Sequence, residues 1–166
     1  MPVTIRAARA DDVSLILQLI RELAEYERLG HEVVATEEDL RDALLASPPH
    51  AQVLIAEVGD EAAGYALFFH NFSTFHCRRG LYLEDLFVRP AFRGQGIGKA
   101  LLARLAQLAI DRGCARLEWA VLDWNESAID FYRHLGAREM HDWTVYRVSG
   151  EALARLAGLP PEPLDS

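Results

Sequence analysis

The stretch L-Y-L-E-D-L-F-V-R-P-A-F-R-G-Q-G-I-G-K-A-L-L-A-R-L, from Leu81 to Leu105, decides the fold. Tyr82, Leu83, Leu86, Phe87 and Val88 form an apolar, partly aromatic run that suits a buried central strand. Pro90 has no N–H to give to a ladder, so the strand is predicted to stop near Val88 or Arg89. From Ile97 onward the apolar residues Leu101, Leu102, Leu105, Leu108 and Ala109 recur at helical spacing. Between strand and helix lie Gly94, Gly96 and Gly98, with Arg93 in front and Lys99 behind. A single glycine there reads as a turn that needs positive φ. Three at alternate positions, flanked by cations and opening a helix, point to a phosphate ligand. The first N–H groups of a helix have no partner inside it, and glycines let an anion approach them closely.

The common phosphate loops do not fit. A Walker A loop needs Gly at position 93 and Ser or Thr at position 100, where Arg93 and Ala100 stand. A dinucleotide fingerprint starting at Gly94 needs Gly at position 99, which is Lys99.

Composition bounds the rest. The 166 residues suffice for one domain with its own core, and 51% hydrophobic content excludes a disordered chain. A net charge of −8 argues against nucleic acid and is compatible with a cationic substrate. Cys77 and Cys114 lack metal-binding spacing and read as ordinary thiols. His70 and His76 find no third ligand at useful spacing, so no metal is expected. No signal peptide follows Met1 and no run of 18 apolar residues occurs, which predicts a soluble, cytoplasmic protein.

In chain order, Val3 to Ala7 reads as a strand. A helix follows from Asp11 or Asp12 as cap to about Leu29, with Gly30 as a left-handed terminator. Thr36-Glu37-Glu38-Asp39 resembles a capping box opening a helix to about Ala46. Residues 52–58 and 62–72 read as strands joined by a turn at Gly59. After the long helix ends at Arg112-Gly113, residues 116–122 read as a strand. A helix starting at Asn125 or Ser127 and closed by Gly136 comes next. Strands at 137–140 and 143–148 and a last helix at 150–156 complete one domain over 1–157, with a loose tail at 158–166.

The pattern R-x-x-G-x-G after an apolar strand resembles the pyrophosphate loop of the GNAT acyltransferases. The segments Glu22-Leu23-Ala24-Glu25-Tyr26-Glu27, Leu81 to Val88, and Trp124-Asn125-Glu126 with Phe131-Tyr132 resemble more narrowly the diamine (spermidine/spermine) and thialysine acetyltransferases. The resemblance implies an α/β GNAT fold, a mixed central sheet of about seven strands flanked by helices. It also implies acetyl transfer from acetyl-CoA to a primary amine of a small cationic acceptor, by direct attack in a ternary complex, in a homodimer. Acetylation of a protein N-terminus, an amino acid or an aminoglycoside is the alternative, as is a non-catalytic CoA-binding module.

The chemistry sets requirements. An alkylamine with a pKa near that of lysine must lose a proton, which costs on the order of 4–5 kcal/mol at neutral pH. A carboxylate at the end of the central strand can take that proton, directly or through water. Glu84 and Asp85 stand there, and strand alternation predicts that only one faces the amine. Resemblance favours Glu84 as base and Tyr132 as the acid that protonates the leaving thiolate. It also implies a bulge near Leu86 or Phe87 that frees an N–H for the oxyanion. By the same resemblance the CoA-binding residues are Leu86, Phe87, Val88, Arg93, Gly94, Gln95, Gly96, Ile97, Gly98, Lys99, Asn125, Glu126, Ser127 and Ala128. Tyr26, Glu27, Glu84, Glu118 and Trp119 would surround the acceptor, a mixture of carboxylates and aromatics suited to a cation. The family carries an acidic pair shortly before the tryptophan of its last strands. Here His141-Asp142 precedes Trp143, which puts long polyamines in question as acceptors.

Overall fold

The computed structural model describes residues 2–160. They form two compact units that divide between Asp123 and Trp124. The first holds β1 (Val3–Ala7), α1 (Val13–Tyr26), α2 (Glu37–Leu45), β2 (Gln52–Val58), β3 (Glu61–Ser73), β4 (Arg78–Val88), α3 (Ile97–Asp111) and β5 (Leu117–Trp119). The second holds α4 (Glu126–His134) and α5 (Gly150–Leu156).

The five strands lie in chain order, β1 to β4 antiparallel and β5 parallel to β4. β2, β3 and β4 follow one another as hairpins, β1 joins β2 after α1 and α2, and α3 provides the crossover that a parallel β5 needs. One core forms where Ile16, Leu19 and Leu23 of α1 meet Val53, Ile55, Tyr65 and Phe87. Period-two alternation turns Leu54 to the other face, where it lines a cavity with Phe68 and with Arg104 and Leu108 of α3. An Arg89–Glu22 ion pair, with contacts of 2.9 and 3.1 Å, ties the end of β4 to α1. Arg89 also donates to the Ala62 carbonyl at 3.1 Å, so one guanidinium links α1, β3 and β4.

Several expectations are corrected. The described residues form five strands rather than about seven, because neither 137–140 nor 143–148 joins a ladder. Their bonding is local: Arg133 and His141 both pair with Glu139, and the Trp143 N–H turns back to Met140 at 3.3 Å. A lone two-stranded hairpin is marginal without a third strand or a packed face. β5 covers 117–119 instead of 116–122.

The first helix begins with a 3-10 turn at Ala10–Asp12 and ends at Tyr26. Asp12 does not cap it through its side chain; its carboxylate takes Arg6 at 2.8 Å and the Arg9 N–H at 2.7 Å. The left-handed residue after the helix is Arg28, φ 63°, not Gly30. A Cβ at Gly30 would lie 2.4 Å from Glu25 Oε1, the end of a flexible side chain that can swing aside. The Thr36–Asp39 capping box forms as predicted, with bonds of 3.1 and 3.0 Å. The expected loose tail at 158–166 lies, from 161 on, outside the described residues.

Gly64 sets the spacing between β3 and β4. A Cβ at this position would meet the Phe87 carbonyl oxygen at 2.3 Å and the Val88 Cα at 3.1 Å, both backbone atoms that cannot swing aside. Gly64→Ala is therefore expected to destabilise the fold by about 1–3 kcal/mol, the usual cost of overpacking. Urea unfolding measures it, and an unchanged midpoint would show that the two strands separate freely at this point.

Candidate active site

The centre of the first unit is the upper half of β4. Its ladder with β5 runs through Leu81–Leu117, Tyr82–Glu118 and Leu83–Trp119 and then stops. From Glu84 to Val88, β4 keeps β3 on one edge and, among the described residues, has no strand on the other. Arg89 donates to the Ala63 carbonyl at 2.8 Å, so antiparallel alternation directs the N–H and C=O of Leu86 and Val88 to the open edge. The Val88 carbonyl is taken there by Arg93 Nε at 3.0 Å.

The bulge lies at Glu84, not near Leu86 or Phe87. β3 pairs Phe68 with Leu83 and Leu67 with Asp85, so Glu84 is the extra residue. A bulge places two residues against one and breaks the alternation of side chains. Strict alternation therefore does not by itself assign faces to Glu84 and Asp85, and the negative charge of Glu84 acts on Asp85.

Asp85 is the less accessible of the two. Tyr65, fully buried, donates its hydroxyl to Asp85 Oδ2 at 2.9 Å. Burial raises the proton affinity of Asp85 and the Glu84 charge adds to that, while the Tyr65 hydrogen bond opposes both. Glu27, in the turn after α1, is raised by burial and then by the charge of Asp85. Tyr82 is raised by burial, Glu84 and Glu118. Asp85 thus links Glu27, after α1, and Glu84, on β4, into one acidic group, with the Tyr65 hydroxyl of β3 bonded to Asp85. Such a group suits a cation, because a positive ligand relieves the mutual repulsion.

Other predicted acceptor residues are occupied differently. The ring of Tyr26 lies under Arg93, with 4.7 Å from the guanidinium carbon to the ring centre, and Phe87 lies 5.8 Å from the same carbon. Glu118 is held by Arg116 Nε at 2.9 Å and by the Asn71 amide at 3.5 Å. Trp119 ends β5 and is half-buried. Sequence reasoning missed Tyr65 and gave Asp85 no role of its own. The available signal was a tyrosine in the apolar run Ala62 to Phe69, since a buried hydroxyl needs a polar partner.

The glycine loop takes the shape its sequence implies. Gly94 and Gly96 hold φ of 80° and 78°, and a Cβ on either would meet nothing within 4 Å. Gly96 is the N-cap of α3, whose first residue Ile97 is buried while Arg93, Gly94, Gln95 and Gly96 are exposed. Gly98 and Lys99 lie in the first turn of α3, with Lys99 exposed. This is an open backbone cradle at a helix N-terminus, fit for an anionic phosphate.

In the second unit, Asn125 caps α4 by accepting the Ala128 N–H at 3.4 Å, and Ser127 Oγ approaches the same oxygen at 3.4 Å. Glu126 opens the helix, and Tyr132 follows on it with its ring centre 5.7 Å from that of Phe131. Gly136, φ 91°, closes the turn after it. The expected order of Asn125 to Ala128 at a helix start and Tyr132 beyond is what forms. Among the described residues, no group of three or more His, Cys, Asp or Glu side chains is placed to hold a metal ion, and no helix is long and apolar enough to cross a membrane.

Known proteins share this chain's sequence and shape. The profile of the Acetyltransferase (GNAT) family matches residues 16–137. The thialysine N-epsilon-acetyltransferase of Bos taurus is 42% identical over 94% of this chain and 98% of its own length. The L-ornithine N5-acetyltransferase NATA1 of Arabidopsis thaliana is 32% identical over 90% and 85%. Among solved structures, the integron cassette protein VCH_CASS6 from the mobile metagenome of V. cholerae superposes with a TM-score of 0.80 at 30% identity, covering 95% of this chain and 98% of that one.

Proposed function

Since the chain belongs to the acetyltransferase (GNAT) family and is an N-acetyltransferase, we propose that its acceptor is a small cationic amine. A diamine or a thialysine- or lysine-like amino acid fits best. The observation that carries this reading is the grouping of carboxylates about Asp85, which takes the buried Tyr65 hydroxyl, feels the charge of Glu84 and in turn raises Glu27. Three carboxylates on adjacent elements favour a substrate with positive charge, and the relatives named for thialysine and ornithine act on molecules that carry a second amine.

Acetyl-CoA is the proposed donor, attacked directly by the amine in a ternary complex. The residues present fit it: Gly94 and Gly96 leave the α3 cradle unobstructed, and Gln95 and Lys99 flank the opening. When bound, it supplies an activated acetyl thioester. The remaining chemistry belongs to this chain. Glu84, at the bulge, receives the ammonium proton and so leaves a nucleophilic nitrogen. The Leu86 N–H, directed to the open edge of β4, is placed to stabilise a developing oxyanion. Tyr132 donates a proton to the leaving thiolate, and Asn125 to Ala128 contribute a second helix N-terminus to donor binding. A homodimer in the cytoplasm completes the reading. Long polyamines are expected to rank below short diamines because His141 replaces one member of the acidic pair.

Thiol release from acetyl-CoA across a panel of amines tests the acceptor. Thialysine, lysine and short diamines are expected to exceed monoamines of equal length by about 5–150-fold in kcat/KM, the worth of one charged contact. The preference should shrink as salt rises, because screening weakens the remote charge. Glu27→Gln is expected to lower kcat/KM for the dication and to leave monoamines almost unchanged. If monoamines, peptides or aminoglycosides prove better at every ionic strength, the diamine reading fails and N-acetyl transfer remains.

A further inference from the structure

We propose that the cavity between α3 and the sheet is a second binding site, built for a small aliphatic carboxylate and separate from the acetyl-transfer site. It lies within the first unit and measures about 340 Å³, at the lower end of the range that small-molecule sites occupy. Leu44 of α2, Pro49, Leu54 of β2, Phe68 of β3 and Leu108 of α3 give it apolar walls.

Its charged groups are all of one sign. Arg104, Leu108 and Arg112 follow at intervals of four along α3 to its C-cap, so one helix face brings two guanidinium groups to the cavity with an apolar side chain between them. Gln52 of β2 adds an amide. Among the described residues that line the cavity there is no aspartate or glutamate, although the chain carries 25 acidic side chains against 17 Lys and Arg. The local excess of positive charge therefore runs against the composition of the whole protein.

Arg112 is held in place by neutral partners. It donates to Gln52 Oε1 at 3.0 Å and to His70 Nε2 at 3.4 Å, and its guanidinium carbon lies 5.7 Å from the centre of the Phe68 ring. Burial, and then the charges of Arg79 and Arg112, lower the proton affinity of His70, so its ring is neutral and accepts. These bonds use two of the five N–H donors that a guanidinium carries. Arg104 is exposed and donates to Gln107 Oε1 at 3.4 Å. Among the described residues neither arginine pairs with a carboxylate.

A half-buried guanidinium without a counter-ion is unfavourable, and two on one helix face repel each other. An anion relieves both. A carboxylate matches the planar fork of arginine through two parallel hydrogen bonds, and a short aliphatic tail covers the apolar walls. A compact inorganic phosphate would leave those walls wet. The glycine cradle is a different place: Gly96 opens α3 and Arg112 ends it, so the helical rise separates them by roughly 24 Å.

The test is an NMR titration of the whole protein with hexanoate, read at Leu54, Phe68, Leu108 and the Arg112 side-chain N–H signals. Saturable shifts at these residues are expected. Hexanol, which keeps the tail without the charge, should bind at least about tenfold more weakly. Butyrate, shorter by two CH₂ groups, should bind roughly 15-fold more weakly. Arg112→Gln should weaken hexanoate by about tenfold or more, and Arg104→Gln, at an exposed position, by about threefold. If Arg112→Gln does not fold, Arg104→Gln and the hexanol comparison decide the matter. Saturating acetyl-CoA should leave the titration unchanged. Hexanol binding as tightly as hexanoate, or inorganic phosphate displacing it, would overturn the carboxylate assignment. Shifts that fall instead on Gly94, Gly96 and Lys99 and vanish with acetyl-CoA would place the anion in the glycine cradle and overturn the second site. Absence of any shift at Leu54, Phe68 and Leu108 would overturn it too and leave the cavity to be covered by a second copy of the chain.

Discussion

Tyr132→Phe is expected to lower kcat by about 10²–10⁴, the usual contribution of a positioned general acid, and to leave the protein folded. The substitution removes one oxygen and keeps the ring, whose centre lies 5.7 Å from that of Phe131 at an interplanar angle of 50°. The ends of the helix are held by other groups. Its start is fixed by Asn125 accepting the Ala128 N–H, and its end by Gly136 and by the Ala137 N–H donating to the Tyr132 backbone carbonyl at 3.1 Å. Melting temperature and acetyl-CoA affinity should therefore change little. The loss should fall on kcat and kcat/KM together, because the missing proton is needed only as the thiolate departs. Steady-state kinetics with calorimetric acetyl-CoA titration separates the two quantities. Near-normal kcat would make Tyr132 a packing residue and move the acid elsewhere.

The strand, glycine corner and long helix were legible because each is written locally. Val88 followed by Pro90 ends a strand, Gly94 and Gly96 supply left-handed backbone, and the spacing from Ile97 to Ala109 makes one buried stripe. The Thr36 capping box and the turn at Gly59 are local in the same way. What escaped was decided at a distance. Whether β4 carries its bulge at Glu84 or at Leu86 depends on register with β3, roughly 20 residues back, and no periodicity within β4 reports it. The partner of Asp85 is equally remote, for Tyr65 reaches it only because Gly64 lets the two strands approach. Tyr26 was expected beside the acceptor by resemblance, yet its ring lies under Arg93, a contact set by where the glycine loop returns to α1. The strands expected at 137–140 and 143–148 have adequate alternation. A strand also needs an edge to join, and the bonds of these segments run to α4 and to the turn from Met140 to Trp143.

Gly96→Val is expected to weaken acetyl-CoA binding by about 2 kcal/mol or more, roughly 30-fold in Kd, with a separable cost to stability. The two effects have different origins. At φ 78° the residue sits in the left-handed region, where an L side chain costs about 1–2 kcal/mol and a β-branched one is a true outlier. That strain is present without ligand. The space around the residue adds nothing to it, since a Cβ there meets no atom within 4 Å. The same empty space is what a pyrophosphate would fill against the first N–H groups of α3, so the isopropyl group should exclude the ligand by bulk. Gly96→Ala separates the terms. It carries most of the left-handed strain with one methyl group, so it should lose comparable stability but less affinity than Gly96→Val. Calorimetric titration with acetyl-CoA, paired with thermal unfolding of each variant, measures both. Affinity that falls only in step with stability, equally for Ala and Val, would mean that the loop is a strained turn and that the phosphates bind elsewhere.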